Sequence, residues 1–412
     1  MTHILYGDGI HDDTAAIQER IDSGTCEVVL PAPEKYYLIS RPLELPSNFR
    51  LVLPRFAEVR LAKGASCLMV KNKMVPSHAK RLPEDVYTKA LLEHLWSYVD
   101  DYDPAAAAEN IELQGGVWNY NNMEQLPNPE RKSPESLAKR DFYGCAMLFY
   151  NVKGLKLSAL TVKDPCQYAV TLDTVSYFAV EDITFDFNLG NPVPINMDGI
   201  HLDGNCHYGN IQNLRGTCYD DMVAVNAHEG SRGPITDIRI CGLYAEYCHS
   251  AVRLLSSGEP VERIHISDVY GNFYQYCVGL TEFYHAGTGS FDAVTVENVY
   301  AAKALPAVKG EFSHPSCIEK ELPFLWVQKD TRVKNLTFRS IHRREKINPL
   351  PTVVIDGTVD RLILEDFSTE NYTDRPMPLL MNNGTIGQLC AESLETNGDP
   401  LFAGEGTVEK GM

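Results

Sequence analysis

A triplet of apolar residues at relative positions 0, 2 and 5 recurs along this chain, as Leu155/Leu157/Leu160, Ile238/Ile240/Leu243, Ile264/Ile266/Val269, Val294/Val296/Val299, Leu336/Phe338/Ile341 and Leu362/Leu364/Phe367. Weaker copies begin at Ile111, with Gly116 in the third place, at Phe178 and near Gly209. Alternation over three residues reads as a short strand with one buried face, and the third apolar residue follows a polar or glycine corner. Self-similarity at a period of about 20–50 residues marks a stacked array whose units bury their apolar faces only against their neighbours. A helical solenoid would need apolar spacings of three and four over two helices per unit, and these segments are too short and too rich in Val, Ile, Thr and Tyr. The expectation is an all-β chain, a right-handed single-stranded parallel β-helix with a helical N-terminal cap, rather than a β-sandwich with irregular loops.

An array of this kind grows in one dimension, so 412 residues can form one domain despite exceeding the usual size of a single core. The reading is one β-helix domain over 1–412, with a cap region at 1–30, a helical insertion at 78–104 and a C-terminal rung and tail at 371–412. Asp8, Asp12 and Asp13 precede an apolar helical pattern through Ile17 and Ile21 that ends near Gly24. A helix there would cover the open end of the first rung, which gives these acids a structural role. Val28-Val29-Leu30 and Leu51-Val52-Leu53 read as early strands. Leu91, Leu92, Leu95 and Tyr98 have helical spacing inside the insertion, and Leu126 to Pro134 is a proline-rich, charged loop.

The formal net charge of −18 argues against nucleic acid as a partner, and it disfavours long polyanions unless basic residues are concentrated locally. No apolar run is long enough to cross a membrane, and Met1-Thr2-His3-Ile4-Leu5 has no basic segment followed by an apolar stretch. Eleven cysteines without a Cys-x-x-Cys pair read as reduced thiols, with Cys241 and Cys277 inside rungs. The expected location is the cytoplasm, or outside the cell if a leader was removed. There is no His-Glu-x-x-His, no nucleophile elbow and no phosphate-binding glycine loop, so neither a metal nor a cofactor is expected. A homo-oligomer is left open.

Asp198, in Asn196-Met197-Asp198-Gly199, precedes the pair Asp220-Asp221 by one coil of such a solenoid, which would stack the three carboxylates at one surface point. Cleaving a glycosidic bond with inversion needs a protonated carboxylic acid beside the leaving oxygen and a carboxylate holding water on the opposite face, roughly 6.5–9.5 Å away. Strands about 4.8 Å apart can supply such a separation between neighbouring rungs. Crowding would also push the titrations apart. Adjacent strand residues point to opposite faces, so Asp220 and Asp221 can share a cleft only at a bend or bulge. The alternative is an ordinary acidic corner like Asp12-Asp13 or Asp100-Asp101.

These segments also carry a family resemblance. The opening Gly7-Asp8-Gly9 with Asp12-Asp13-Thr14, and then Gly115-Gly116-Val117-Trp118-Asn119, look like the start of many pectin-degrading β-helix enzymes. Asn196-Met197-Asp198-Gly199, Asp220-Asp221 and Ala251-Val252-Arg253-Leu254 resemble, in order and approximate spacing, the Asn-Thr-Asp-Gly, Asp-Asp and Gly-Val-Arg-Ile-Lys motifs of the polygalacturonase family of glycoside hydrolases. The resemblance implies a parallel β-helix, Asp220 as general acid, Asp198 and Asp221 as activators of water, and Arg253 on the substrate. A guanidinium suits that task because it can bind a carboxylate or vicinal hydroxyls through two parallel hydrogen bonds; the alternative is a structural ion pair.

Two departures narrow the implication. The family's Gly-His-Gly segment is absent; His228 and His249 are candidates for its place and also read as exposed loop residues, and His201 could face the cleft. In Arg253-Leu254-Leu255 an apolar residue, Leu255, stands where the family places a lysine, which leaves open a neutral sugar or a uronide held by Arg253 and another basic residue. Tyr143, Tyr168, Tyr219, Tyr244, Tyr247, Tyr274, Phe283 and Tyr284 fall near rung corners and suit a sugar-binding groove, Tyr219 most of all because it precedes the acids. The expected activity is therefore an inverting, exo-acting glycoside hydrolase on plant-wall (pectin-type) oligosaccharides or polysaccharides. A β-helix lyase acting on uronides and a non-catalytic spike or adhesin are the alternatives.

Overall fold

The computed structural model describes residues 3–75, 107–128, 144–282, 287–305 and 322–411. The expected insertion at 78–104, most of the loop from Leu126 to Pro134, and Tyr143, Phe283 and Tyr284 lie outside these residues. The chain forms two compact units, Met1–Asn210 with Glu229–Ser231, and Ile211–His228 with Arg232–Met412. Both are built of parallel β-helix coils.

In the second unit the repeat becomes columns. Ile238 stands beside Ile264, then Val294, Leu336, Leu362 and Leu389; a second column runs Ile240, Ile266, Val296, Phe338, Leu364, and a third Leu243, Val269, Val299, Ile341, Phe367 and Leu394. In the first unit the equivalent columns are Phe49, Ile111, Leu155, Phe178 and Leu51, Leu113, Leu157, Val180. Every one of these pairings is parallel, so each triplet stacks on the triplets before and after it.

The unequal 0, 2, 5 spacing has a backbone cause. Strict strand alternation would turn residues 0, 2 and 4 inward. Instead, the residue at position 4 takes the left-handed conformation and the chain slips by one: Ala159, Asp182, Gly242, Asp268, Asn298, Ser340 and Asp366 have φ of +57°, +57°, +69°, +59°, +54°, +51° and +55°. The slip returns an apolar side chain to the interior at position 5. Asn, Asp and Gly favour this conformation, which explains the polar or glycine corner in the sequence.

The weak copy near Gly209 is a packing exchange. A Cβ on Gly209 would lie 2.1 Å from the Phe178 ring, so the phenylalanine of one coil fills the place of a side chain in the other. Alanine is a poor occupant of left-handed positions, where an L-residue costs about 1–2 kcal/mol. Ala293 is exposed and sits at φ +51°. Ala293→Gly is expected to raise stability by about 0.5–1 kcal/mol once the greater flexibility of unfolded glycine is subtracted, read as a higher urea midpoint.

At the N-terminal end a helix spans Thr14–Ile21 and buries Ala16, Ile17 and Ile21. Asp13 occupies its N-cap but does not bond the helix's own amides; its carboxylate accepts from the backbone N–H of Tyr6, Gly7 and Leu38, tying the incoming segment to an early strand. Asp12 takes the Thr14 amide at 2.8 Å. The capping acids are structural, as expected. At the other end, strands Thr385–Thr396 and Thr407–Gly411 continue the parallel ladder. On an outer face of the second unit Tyr244, Tyr270, Tyr300 and His342 stack in one column, with ring centroids 5.3, 5.4 and 4.7 Å apart.

Among the described residues every cysteine is free, and no helix is long and apolar enough to cross a membrane.

Candidate active site

In the second unit, the strand His207–Asn226 carries Asp220 and Asp221, and the strand Ile235–Leu255 carries His249, Ser250 and Arg253. The pairing of the latter with Pro260–Phe273 is irregular between Ala245 and Cys248, just before His249. Backbone amides of Tyr274 and Gln275 then donate to the carbonyls of Cys248 and His249 at 3.0 and 2.9 Å, which fixes the chain beneath the histidine.

Asp220 and Asp221 converge on this one ring. His249 Nδ1 lies 3.3 Å from Asp220 Oδ1 and 3.8 Å from Asp221 Oδ1. Tyr274 and Tyr276 present edges to the imidazole, with centroids 5.2 and 6.0 Å away. Burial, and then the charge of Asp220, push the Tyr274 phenol well above its ordinary value, so it stays protonated.

The two carboxylates have different surroundings. Asp221 is fully buried, with Arg253 Nε 2.9 Å from its Oδ2 and the Ser250 hydroxyl donating to its Oδ1. The Arg253 contact is an ion pair rather than an aligned hydrogen bond. Burial opposes ionisation of Asp221, yet Arg253, His249 and Ser250 together outweigh it and hold the carboxyl below its usual range. Asp220 is the more exposed of the pair, at 5%. Tyr219 is half-buried and packs against Tyr274 and Ala304, beside Tyr247.

Asp198 and His201 belong to the first unit, in a separate cluster. His201 lies on the strand Ile200–Leu202 with Asp198 before it and Asp203 after it, while Asp173 comes from Val170–Glu181. His201 Nδ1 is 2.7 Å from Asp198 Oδ2, and Nε2 is 3.2 Å from Asp203 Oδ1 and 3.1 Å from Glu229 Oε2. Tyr168 stacks on the ring at 3.9 Å. Burial disfavours a charged His201, but Asp203, Asp198 and Glu229 outweigh it and raise the ring well above its ordinary value. Burial, and then Asp203, push Asp173 up to about 8.

Several expectations need correcting. His228 and His249 are not exposed loop residues: both are buried, and His249 lies within a strand beside the acid pair. Arg253 Nε pairs with the buried candidate acid Asp221 at 2.9 Å, not with a surface acid such as Glu259, which pairs with Arg232. Asp198 is 1% exposed and engaged with His201 rather than open to water. Asp173, Asp203, Glu229 and Ser250 were not among the expected site residues, whereas Tyr274 was one of the expected groove aromatics. Asp203 was legible, since it follows His201 by two and so shares its strand face; the others need the register. Two surface grooves, of about 620 Å³ in the first unit and 560 Å³ in the second, are lined by none of these carboxylates.

No protein-family model matches the chain, and no curated protein matches it. Solved structures share its fold. The chain is a parallel β-helix. The surface protein and adhesin PfbA of Streptococcus pneumoniae aligns over 99% of this chain and 98% of its own, at a TM-score of 0.59 and 14% identity. A family 28 exopolygalacturonase of Yersinia enterocolitica aligns over 98% of this chain and 76% of its own, also at 0.59 and 14%. A tailspike protein of E. coli bacteriophage HK620 aligns over 93% and 64%, at 0.58 and 12%. At these identities the likeness concerns the fold alone.

Proposed function

We propose that this β-helix acts on carbohydrate as a glycoside hydrolase, with the Asp220–Asp221–His249 cluster as its catalytic centre. The observation that carries the reading is the unequal environment of two adjacent carboxylates on one imidazole. Paired carboxyl groups kept in different protonation states are what acid/base cleavage of a glycosidic bond requires. Asp221, held ionised by Arg253, cannot donate a proton at neutral pH; Asp220, the more exposed, takes the role of general acid. The motif order, and a fold shared with a family 28 exopolygalacturonase, support the same reading. Exo action on short pectin-type oligosaccharides, by inversion, is the form we favour on the motif resemblance alone. The acidic chain disfavours a long polyanion.

A second reading draws on a specific observation. Asp198 and Asp221 are both buried and engaged in intramolecular pairs, which suits a scaffold that binds sugar without cleaving it, and the fold is also that of an adhesin. A panel of plant-wall oligosaccharides incubated with the purified protein separates the two. Mass spectra should show a hydrolysed product one water heavier in total, with release of reducing ends. Products carrying an ultraviolet-absorbing double bond would instead indicate a lyase, and binding with every oligosaccharide intact would leave the adhesin reading standing.

A further inference from the structure

The geometry points to a divalent-cation site in the first unit, with His201 Nε2, Asp203 and Glu229 as ligands. The inference stands apart from the hydrolase reading, which uses no metal.

Three features support it. The first is spacing. Two ligands bound to one ion at ~2.1 Å sit about 3.0–3.4 Å from each other in octahedral or tetrahedral geometry. Asp203 Oδ1 and Glu229 Oε2 lie 3.2 and 3.1 Å from His201 Nε2, and all three ligand atoms fall within 4.8 Å of one another. The second is orientation. A metal-binding histidine usually gives its other ring N–H to a carboxylate, which fixes the tautomer and the ring plane. His201 Nδ1 meets Asp198 Oδ2 at 2.7 Å, and Tyr168 stacks on the ring.

The third is independent of the bonds within the cluster. Asp203 is 1% exposed, and its Oδ2 has no hydrogen-bond partner among the described residues. A buried carboxylate oxygen left in that state has lost its hydration without a replacement. This oxygen and Asp173 Oδ2 converge on Gly230, at 2.3 and 2.7 Å from where a Cβ would stand, and the residue has φ +58°. A side chain at 230 would collide with both oxygens, so glycine leaves the acids room to turn toward a shared ion. One imidazole nitrogen with two or three carboxylates is a borderline-to-hard donor set suited to zinc or manganese rather than to a thiophilic metal.

The test uses the full chain, stripped with chelator and dialysed. Calorimetric titration with zinc chloride should show one equivalent bound. Asp203→Asn and Glu229→Gln should each weaken binding by more than about 100-fold, whereas Asp198→Asn, which acts only through the ring, should weaken it by about 10–100-fold. Asp220→Asn, in the other cluster, should leave the affinity unchanged. Circular dichroism establishes that each variant is folded. Should the first-unit variants fail to fold, wild-type protein titrated with cobalt must show visible absorption bands abolished by one equivalent of zinc. Wild-type protein that binds no zinc at millimolar concentration, binding that survives Asp203→Asn and Glu229→Gln, binding lost in Asp220→Asn, or absence of the cobalt bands would each overturn the assignment.

Discussion

Asp220→Asn is expected to reduce release of reducing sugar by about 10²–10⁴-fold, the usual contribution of a positioned general acid. The substitution keeps size and hydrogen-bonding capacity but removes the transferable proton. Asp220 lies at the more exposed edge of the pair, 3.3 Å from His249 Nδ1, so the thermal midpoint should change little. A large kinetic loss with unchanged stability marks a chemical role. Equal turnover in variant and wild type would remove the acid assignment, and a parallel fall in stability would make the residue structural. Asp221→Asn should lose both, because it leaves Arg253 facing a neutral amide.

Arg343→Met should cost about 3–5 kcal/mol at neutral pH, the penalty for removing one partner of a buried ion pair. Arg343 and Glu345 have no exposed side-chain surface, and their Nη2–Oε2 distance is 2.7 Å. The guanidinium also donates to the carbonyls of Leu350 and Asn348 at 2.7 and 3.0 Å and lies over the Phe324 ring. Burial works against ionised Glu345, but Arg343 and the amides of Asn348 and Ile347 prevail and lower its pKa below the ordinary 4.5. Burial lowers Arg343 as well, without making it other than a cation. A carboxylate with a depressed folded-state pKa stabilises the fold above its unfolded pKa, and that contribution is lost as pH falls through the folded value. The gap in urea midpoint between wild type and Arg343→Met should therefore be wide at pH 7 and narrow steadily below about pH 4.5. A gap independent of pH would show that packing, not the ion pair, sets the cost.

The fold was legible because its rule is local and repeated. Ile238, Ile264, Val294, Leu336 and Leu362 announce the columns through spacing alone, and the corner residues Asp268, Asn298 and Asp366 announce the left-handed turns. Gly209 read as a faint copy because its missing side chain is supplied by Phe178 from another coil, which no single window contains. The site was legible in part. Asp220 and Asp221 both lie near His249 Nδ1, and the irregular pairing close to them belongs to the strand of the histidine, not to their own. His249 was a named candidate whose surroundings were misjudged, because Cys248-His249-Ser250 looks like a polar loop; its polar atoms instead face acids that come from a different strand. Glu229 and Asp173 were invisible for the same reason, since only the register brings them to His201 and Asp203.

The left-handed corner has a consequence for how such a chain can change length. Because each corner lies inside its triplet, residues can be added without disturbing a column only in the loops that join one stacked strand to the next, outside both the triplets and the column of Val252, Val278, Leu325, Val353 and Leu380. One residue added between Val296 and Val299 would turn Val299 toward water and leave a hole beside Val269 and Ile341. Peptide cargo or a new loop therefore belongs in the connecting stretches, while the hexads that form the columns accept exchange of side chains but not of count.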